Sequence, residues 1–290
     1  MDSITRNAYA KINLGLDVIR RREDGYHEVK MIMQSIGLCD TLTFTRKDEA
    51  GIVVVTDKKE LPGDENNLIY RAAKLLTDTC RIKQGVHISL EKKIPMAAGM
   101  AGGSTDAAAV FHGMNEMFSL GLSVDEMCGL AVKIGADVPY CIKGGTALAE
   151  GIGEQLTDLP GMPDCFLLIA KPDIDVSTRF VYENLHADSL EDHPDIDGMI
   201  DAIRRRDLGG VTERLGNVLE TVTVKKYPEV EEIKNFMKEH GALNALMSGS
   251  GPTVFGIYDS KEKALEARTG LERGKTAKQI FVTVPVNVLR

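Results

Sequence analysis

The stretch of this 290-residue chain best suited to chemistry is Pro95-Met96-Ala97-Ala98-Gly99-Met100-Ala101-Gly102-Gly103-Ser104-Thr105-Asp106. It follows an apolar run, Val86 to Leu90, that reads as a strand, and a basic pair, Lys92-Lys93. It leads into helical spacing that begins near Ala107 and continues through Val110, Phe111, Met114 and Met117. A small-residue loop that opens a helix is suited to holding phosphate. Its backbone can approach an anion closely, the N–H groups of the first turn have no intrahelical acceptor, and the helix dipole adds about half a positive charge. Ser104, Thr105 and Asp106 are good N-cap and first-turn residues, and the two hydroxyls could reach a phosphate-bound metal. A plain loop capped by Ser104 or Thr105 would read the same way from this segment alone.

Familiar nucleotide loops are excluded. The nearest approach to a Walker A pattern, Gly270-Leu271-Glu272-Arg273-Gly274-Lys275-Thr276, is one residue short and follows a charged helical pattern. Gly249-Ser250-Gly251 continues Pro252-Thr253-Val254, so no dinucleotide fingerprint is present. The protein-kinase HRD and DFG signatures are missing.

The elements that must position the loop mix two periodicities. Strand-like runs lie at Ala8 to Val18, Thr41 to Thr45, Ile52 to Thr56, Val86 to Leu90, Phe166 to Ala170, Thr253 to Tyr258 and Ile280 to Leu289. Helical spacing joins Leu68, Ile69, Ala72, Leu75 and Leu76; then Val211, Leu215, Val218 and Leu219; then Val230, Ile233 and Met237. Several strands precede the first clear helix, which predicts α+β organisation with antiparallel or mixed sheets. The stretch Gly151 to Asp164 holds three glycines and two prolines, and a domain boundary is placed there, giving domains 1–160 and 161–290.

Composition bounds the function classes. Apolar residues make up 43% and charged residues 27%, as in an ordinary globular chain. The formal charge of −8 disfavours a nucleic-acid or membrane-surface binder, because such binding draws on a positive field. Five cysteines without a CxxC pair argue against a disulfide framework and for a reducing compartment. No window approaches the ~18 apolar residues of a membrane span, and the N-terminus lacks a signal-like apolar stretch. A cytoplasmic protein that binds neither nucleic acid nor membrane is expected.

The loop Pro-x-x-x-Gly-x-x-Gly-Gly-Ser-Thr-Asp resembles the phosphate loop of the GHMP kinase superfamily, and three further segments match in order. Ala8-Tyr9-Ala10-Lys11-Ile12-Asn13-Leu14 resembles the opening strand, followed by Asp24-Gly25-Tyr26-His27-Glu28. Gly135-Ala136-Asp137-Val138-Pro139 resembles the catalytic-aspartate segment, and Ser248-Gly249-Ser250-Gly251-Pro252-Thr253 the glycine motif that closes against the phosphate loop. The first two segments are most similar to the branch that phosphorylates the 2-hydroxyl of 4-diphosphocytidyl-2-C-methyl-D-erythritol, a step of the non-mevalonate route to isoprenoids. The superfamily implies a ribosomal protein S5 domain 2-like N-terminal domain and a ferredoxin-like C-terminal domain, with the active site between them. It also implies ATP, with Mg2+ arriving alongside it. A GHMP kinase for another small alcohol, such as homoserine or mevalonate, and a non-catalytic nucleotide-binding member are the alternatives. Oligomeric state is open between monomer and homodimer.

The resemblance assigns Lys11 and Asp137 as the catalytic pair. Asp137 would orient the acceptor hydroxyl and take its proton, with Lys11 stabilising charge moving toward the γ-phosphate. From the residues alone, Asp137 reads rather as an N-cap or turn aspartate before Pro139, and Lys11 as a strand lysine pointing to solvent. The nucleotide falls to Pro95 through Thr105, with Ser104 nearest the metal, and to Asn67, which could also cap a helix before Leu68. The acceptor falls to Asn13, Tyr26, His27, Asp137, Thr178 and Tyr182. A spacing of four puts Thr178 and Tyr182 on one face if their segment is helical, and Phe180 competes with Tyr182 for stacking on the base. One departure marks the loop: Ala101 stands where related kinases carry glycine. Its methyl group is expected to be tolerated only at negative φ.

Overall fold

The structure, a computed structural model, describes residues 2–287. The elements in chain order are β1 (Ser3–Arg21), β2 (His27–Lys47), β3 (Ile52–Thr56), α1 (Leu68–Cys80), β4 (Gly85–Glu91), α2 (Gly102–Met117), α3 (Val124–Ala131), α4 (Val138–Lys143), β5 (Thr146–Glu150), β6 (Gln155–Asp158), β7 (Phe166–Lys171) and α5 (Thr178–Glu183). After a short 3-10 turn at 187–189 come α6 (Ile196–Arg204), α7 (Leu208–Glu213), β8 (Gly216–Asn217), α8 (Glu220–Lys226), α9 (Glu229–Glu239), β9 (Asn244–Met247), β10 (Val254–Tyr258), α10 (Lys261–Gly274) and β11 (Gln279–Thr283). They form two compact units. One comprises β1 up to Ala10, Leu38–Ile94 and Ala101–Lys143; the other comprises Lys11–Gly37, Pro95–Met100 and the chain from Gly144 onward.

In the first unit β4 is the central strand. It pairs antiparallel with the second half of β2, Thr41–Lys47 against Gly85–Glu91, and parallel with β3. Val86, Ile88 and Leu90 alternate inward along it. Helices α1 and α2 pack on each other. On α2, Gly113 sits against the ring of Phe44 from β2: a methyl group there would stand 2.6 Å from Cε2, so only glycine lets helix and strand meet at this point. Phe44, Phe111, Leu42, Ile69 and Leu76 are fully buried in this unit. Ser123 and Glu126 form a reciprocal capping box at the start of α3.

In the second unit, Met31–Gln34 of β2 pair antiparallel with β5, which pairs with β6, while Gly15 and Leu16 of β1 pair parallel with β8. A separate antiparallel sheet runs β11-β7-β10-β9, with α9 and α10 packed on it. The first strand of this sheet lies between the last and the third, which is the ferredoxin-like order. Helical hydrophobic spacing explains the helices: Val230, Ile233 and Met237 form the buried stripe of α9.

The structure changes three boundaries. Helix α2 starts at Gly102 rather than near Ala107. The helical pattern Val211 to Leu219 breaks into α7 and α8, because Asn217 accepts the Leu219 N–H at 3.0 Å and Gly216-Asn217 pairs with β1. Strand β11 ends at Thr283; Pro285 lacks an N–H for the ladder, and the chain turns to an isolated bridge with Ile36. The end of the strand-like run to Leu289 lies outside the described residues. All five cysteines are free, and no helix among the described residues is long and apolar enough to cross a membrane.

Candidate active site

In the second unit, Lys11 and Asn13 lie two residues apart on β1 and therefore on one face. Lys11 is only 5% exposed. Its Nζ donates to Asn13 Oδ1 at 2.7 Å, and the Asn13 amide nitrogen approaches Met31 Sδ at 3.2 Å. The solvent-pointing alternative for this lysine therefore fails. The backbone N–H of Lys11 donates to the Met100 carbonyl at 3.2 Å, tying the strand to the glycine-rich loop.

The loop residues Pro95–Met100 are braced by the turn Ser248–Gly251. Ser248 Oγ donates to the Gly99 carbonyl at 3.0 Å. Gly99 has φ of 68°, and a methyl group on it would stand 2.2 Å from the Ser248 carbonyl oxygen, so both conformation and space demand glycine. The turn is anchored in its own right. Asn217 Nδ2 donates to the carbonyls of Met247 (2.9 Å) and Gly249 (2.8 Å), Thr223 Oγ1 donates to the Ser250 carbonyl (3.1 Å), and the Ser250 and Thr178 hydroxyls are 2.8 Å apart.

Tyr26 and His27 follow a turn in which Asp24 Oδ1 accepts the Tyr26 N–H at 3.1 Å. Tyr26 is 60% exposed, which excludes plain core packing as its role. The His27 ring stands 5.1 Å from that of Tyr182, tilted by 40°. Burial, with Arg21 nearby, lowers the His27 imidazole below the usual histidine range, so at pH 7 it offers one donor and one acceptor. Phe180, the competing aromatic, instead carries the Lys226 ammonium 3.7 Å above its ring. A cavity of about 350 Å³ opens beside His27, lined also by Arg21 and residues 185–189, a size within the range of small-molecule sites. Nothing in the sequence pattern singled out that lining.

In the first unit, α2 opens without a side-chain cap. Its N-cap is Ala101, and the first intrahelical bond is from Thr105 N–H to the Ala101 carbonyl, 2.9 Å. The N–H groups of Gly102, Gly103 and Ser104 precede that bond, as an anion site requires. Ser104 and Thr105 are thus first-turn residues rather than caps, and the Thr105 hydroxyl bonds back to the Ala101 and Gly102 carbonyls at 3.3 Å each. Ala101 has φ 55° and ψ 30°, against the expectation of negative φ; Ala97 is left-handed too, at φ 48°. A side chain in this region costs about 1–2 kcal/mol, and glycine returns about 0.5–1 kcal/mol of that as unfolded-chain entropy. Ala101→Gly should therefore raise the melting temperature slightly, by about 1–3 °C. A lower melting temperature would show that the methyl group makes a compensating contact.

Asn67 does cap α1: its Oδ1 accepts the Ile69 N–H at 2.9 Å, and its Nδ2 donates to the Pro62 carbonyl at 2.8 Å. An amide retains capacity for further bonds from both atoms. Asp137 immediately precedes α4, and its carbonyl accepts the Cys141 N–H at 3.1 Å. His112 of α2 lies 3.0 Å from the Ile142 carbonyl through Nε2; burial lowers its imidazole, so the neutral ring donates there and holds α4 in place. Beneath the start of α2 lies a buried cluster that sequence reasoning missed. Lys92 Nζ bonds Asp106 Oδ2 at 2.7 Å and Asp40 Oδ2, and Asp40 Oδ1 accepts the N–H groups of Lys93 and Ile94. Among the described residues, no group of three or more His, Cys, Asp or Glu side chains could hold a metal ion.

The N–H groups that open α2 suit an anion, and comparison with known proteins gives the family. The GHMP kinases N terminal domain model matches residues 67–145, and the GHMP kinases C terminal model matches residues 199–275. The 4-diphosphocytidyl-2-C-methyl-D-erythritol kinase of Lachnoclostridium phytofermentans is 53% identical over 283 residues, 98% of this chain and 97% of that protein. The chain belongs to the GHMP kinases, in the 4-diphosphocytidyl-2-C-methyl-D-erythritol kinase family. A relative of the same name from Geobacillus sp. is 51% identical over 91% of each chain. Among solved structures, a 4-(cytidine 5'-diphospho)-2C-methyl-D-erythritol kinase superposes with a TM-score of 0.83 at 32% identity, covering 97% of this chain and 99% of that one. A homoserine kinase from Cytophaga hutchinsonii, 21% identical with a TM-score of 0.80 over 100% and 96% of the two chains, shares the fold. The fold is thus common to kinases of different acceptors, and fold alone does not give the acceptor.

Proposed function

We propose that this GHMP kinase transfers the γ-phosphoryl group of ATP to the 2-hydroxyl of 4-diphosphocytidyl-2-C-methyl-D-erythritol. The observation that carries the reading is the pairing of the His27 and Tyr182 rings next to the exposed Tyr26. A pyrimidine needs a flat face to stack on and a donor and acceptor at its edge. Two tyrosine rings and a neutral imidazole supply both. Asn13 and Thr178 complete the polar contacts to the acceptor. The names of relatives about half identical to this chain support the same acceptor.

The glycine-rich segment, Pro95 to Thr105, would hold the triphosphate through backbone N–H groups that begin at Met96 and include the first turn of α2, with Asn67 toward the purine. Asp137 orients the acceptor hydroxyl and takes its proton as the new O–P bond forms and the bond to the ADP oxygen breaks. Lys11, buried on β1, supplies positive charge where charge moves toward the γ-phosphate. Mg2+ bound to ATP neutralises phosphate charge, and the Ser104 hydroxyl, in the first turn of α2, suits it as a ligand because magnesium at nucleotide sites takes few protein ligands.

An ADP-release assay with Mg-ATP and a panel of the cytidine compound, mevalonate, homoserine and galactose tests the reading. ADP should appear only with the cytidine compound. Release with another acceptor alone would keep the kinase and remove Tyr26, His27 and Tyr182 from base recognition. Silence with all four would point to a nucleotide-binding member without catalysis.

A further inference from the structure

The turn Ser248–Gly251 touches both halves of the proposed chemistry within the second unit. On one side Ser248 Oγ holds the Gly99 carbonyl of the phosphate loop, and a methyl group on Gly249 would stand 2.9 Å from the same carbonyl oxygen. On the other side the Ser250 hydroxyl meets the Thr178 hydroxyl at 2.8 Å, at the first residue of α5. Four residues on, α5 presents Tyr182 against His27. We infer that Ser250 is a positioning residue that couples the two substrates: the Ser250–Thr178 hydrogen bond transmits ordering between the acceptor segment α5 and the phosphate loop.

Three observations support this. Ser250 is buried, so its hydroxyl meets little competition from water. Its backbone is held by Thr223 Oγ1 on one side and by the anchored Gly249 on the other, so it cannot yield to α5 without moving the turn. Thr178, in contrast, is an exposed residue at the start of a six-residue helix in which only Val181 is buried, and that start has one side-chain cap, Ser177 Oγ accepting the Phe180 N–H at 3.3 Å. A short helix of this kind gains order from its contacts rather than from its own length. A ligand that fixes Thr178 and Tyr182 therefore also fixes the partner of Ser250. A nucleotide that fixes the phosphate loop fixes the turn carrying Ser250. Coupling of this kind is reciprocal: each ligand must tighten the other by the same factor.

The inference rests on the acceptor reading above, and its test separates the two. Calorimetric titrations would use the wild-type chain with 4-diphosphocytidyl-2-C-methyl-D-erythritol and with the non-hydrolysable analogue AMP-PNP plus Mg2+. Each ligand would be measured alone and in the presence of the other. The wild type should show mutual tightening of about fivefold, the scale of one hydrogen bond between hydroxyls. Ser250→Ala should bring the factor close to one. Ser250→Thr, which keeps a hydroxyl, should retain most of it. In the cycle with Thr178→Val, the two losses should not add. A merely structural role for Ser250 would weaken each ligand alone and leave the factor intact, and that result overturns the inference. So does a factor of one in a wild type that binds both ligands. A wild type that binds AMP-PNP but not the cytidine compound overturns the acceptor reading, and the coupling falls with it.

Discussion

Asp137→Asn should lower kcat by at least about two orders of magnitude and leave both Michaelis constants within a few fold, since a positioned general base contributes roughly 10²–10⁴. The substitution keeps the backbone bond that starts the following helix. Helix α4 is started by the Asp137 carbonyl, which accepts the Cys141 N–H, and asparagine keeps that carbonyl. Val138, Pro139, Tyr140 and Ile142 are buried and hold the helix from the apolar side, and His112 holds the Ile142 carbonyl. Asparagine has nearly the same shape as aspartate and can still orient a hydroxyl, but it cannot take a proton. A fall in kcat with unchanged Michaelis constants therefore assigns proton acceptance, since only an interaction made in the transition state was removed. A kcat within about threefold of the wild type would remove Asp137 from the chemistry. A large rise in the acceptor's Michaelis constant with kcat preserved would make it a binding residue. Steady-state kinetics with the cytidine acceptor, alongside a melting curve, distinguishes the three.

The glycine-rich segment stood out in the sequence as a small-residue run between a strand and a helix, but only its agreement with three other segments set it apart from a plain capped loop. What the run could not reveal was its backbone. Ala97 and Ala101 are left-handed, a conformation that alanine as a residue type gives no reason to expect. The first half of β2 was missed because Met31 to Ile36 are buried on both faces, so the alternation that marks a half-buried strand is absent. Lys11 read as a candidate only by resemblance, since a strand lysine ordinarily faces water and its burial depends on residues far away in sequence. Lys92 is the instructive miss. It was read with Lys93 as a basic pair, yet Lys92 is 4% exposed and Lys93 55%. The signal was present: continuing the inward positions Val86, Ile88 and Leu90 by two puts Lys92 inside and Lys93 outside. The partners of Lys92, Asp40 and Asp106, come from separate elements, and no local pattern joins them.

The charge arithmetic of that cluster leads to the second large effect, on stability: Lys92→Met should cost about 3–5 kcal/mol, the usual consequence of removing one partner from a buried ionic group. The two carboxylates are not equivalent. Asp40 accepts the N–H groups of Lys93 at 2.5 Å and Ile94 at 2.7 Å besides the ammonium, so its charge is held by three donors. Asp106 has Lys92 on Oδ2 and no partner on its buried Oδ1. Burial pushes the Asp106 carboxyl up to about 8, with the Lys92 charge opposing the shift and Asp40 adding to it. The Lys92 ammonium, which burial alone would discharge, is held charged above its ordinary range by the two carboxylates. Methionine would leave the buried Asp40 and Asp106 side chains without the ammonium that both of them bond. Asp106→Asn makes the opposite forecast. An amide oxygen still accepts from Lys92, and no second negative charge has to be kept protonated. Because the folded carboxyl lies above its unfolded value, the folded wild type binds the extra proton between about pH 4 and 8. The stability of the wild type should fall with rising pH through that window. The asparagine variant should lack that fall, and so gain on the wild type as pH rises toward 8. Urea unfolding of the three proteins at several pH values checks both statements. A Lys92→Met cost under about 1 kcal/mol would mean that Asp106 and Asp40 share a proton without help. A parallel pH dependence in wild type and Asp106→Asn would mean that Asp106 is ionised in the folded chain. The cluster also lies close to the start of α2, since Lys92 bonds Asp106 and a methyl group on Gly102 would stand 3.0 Å from Lys92 Nζ. On the proposed role of that helix start in nucleotide binding, Lys92→Met should lose nucleotide affinity together with stability.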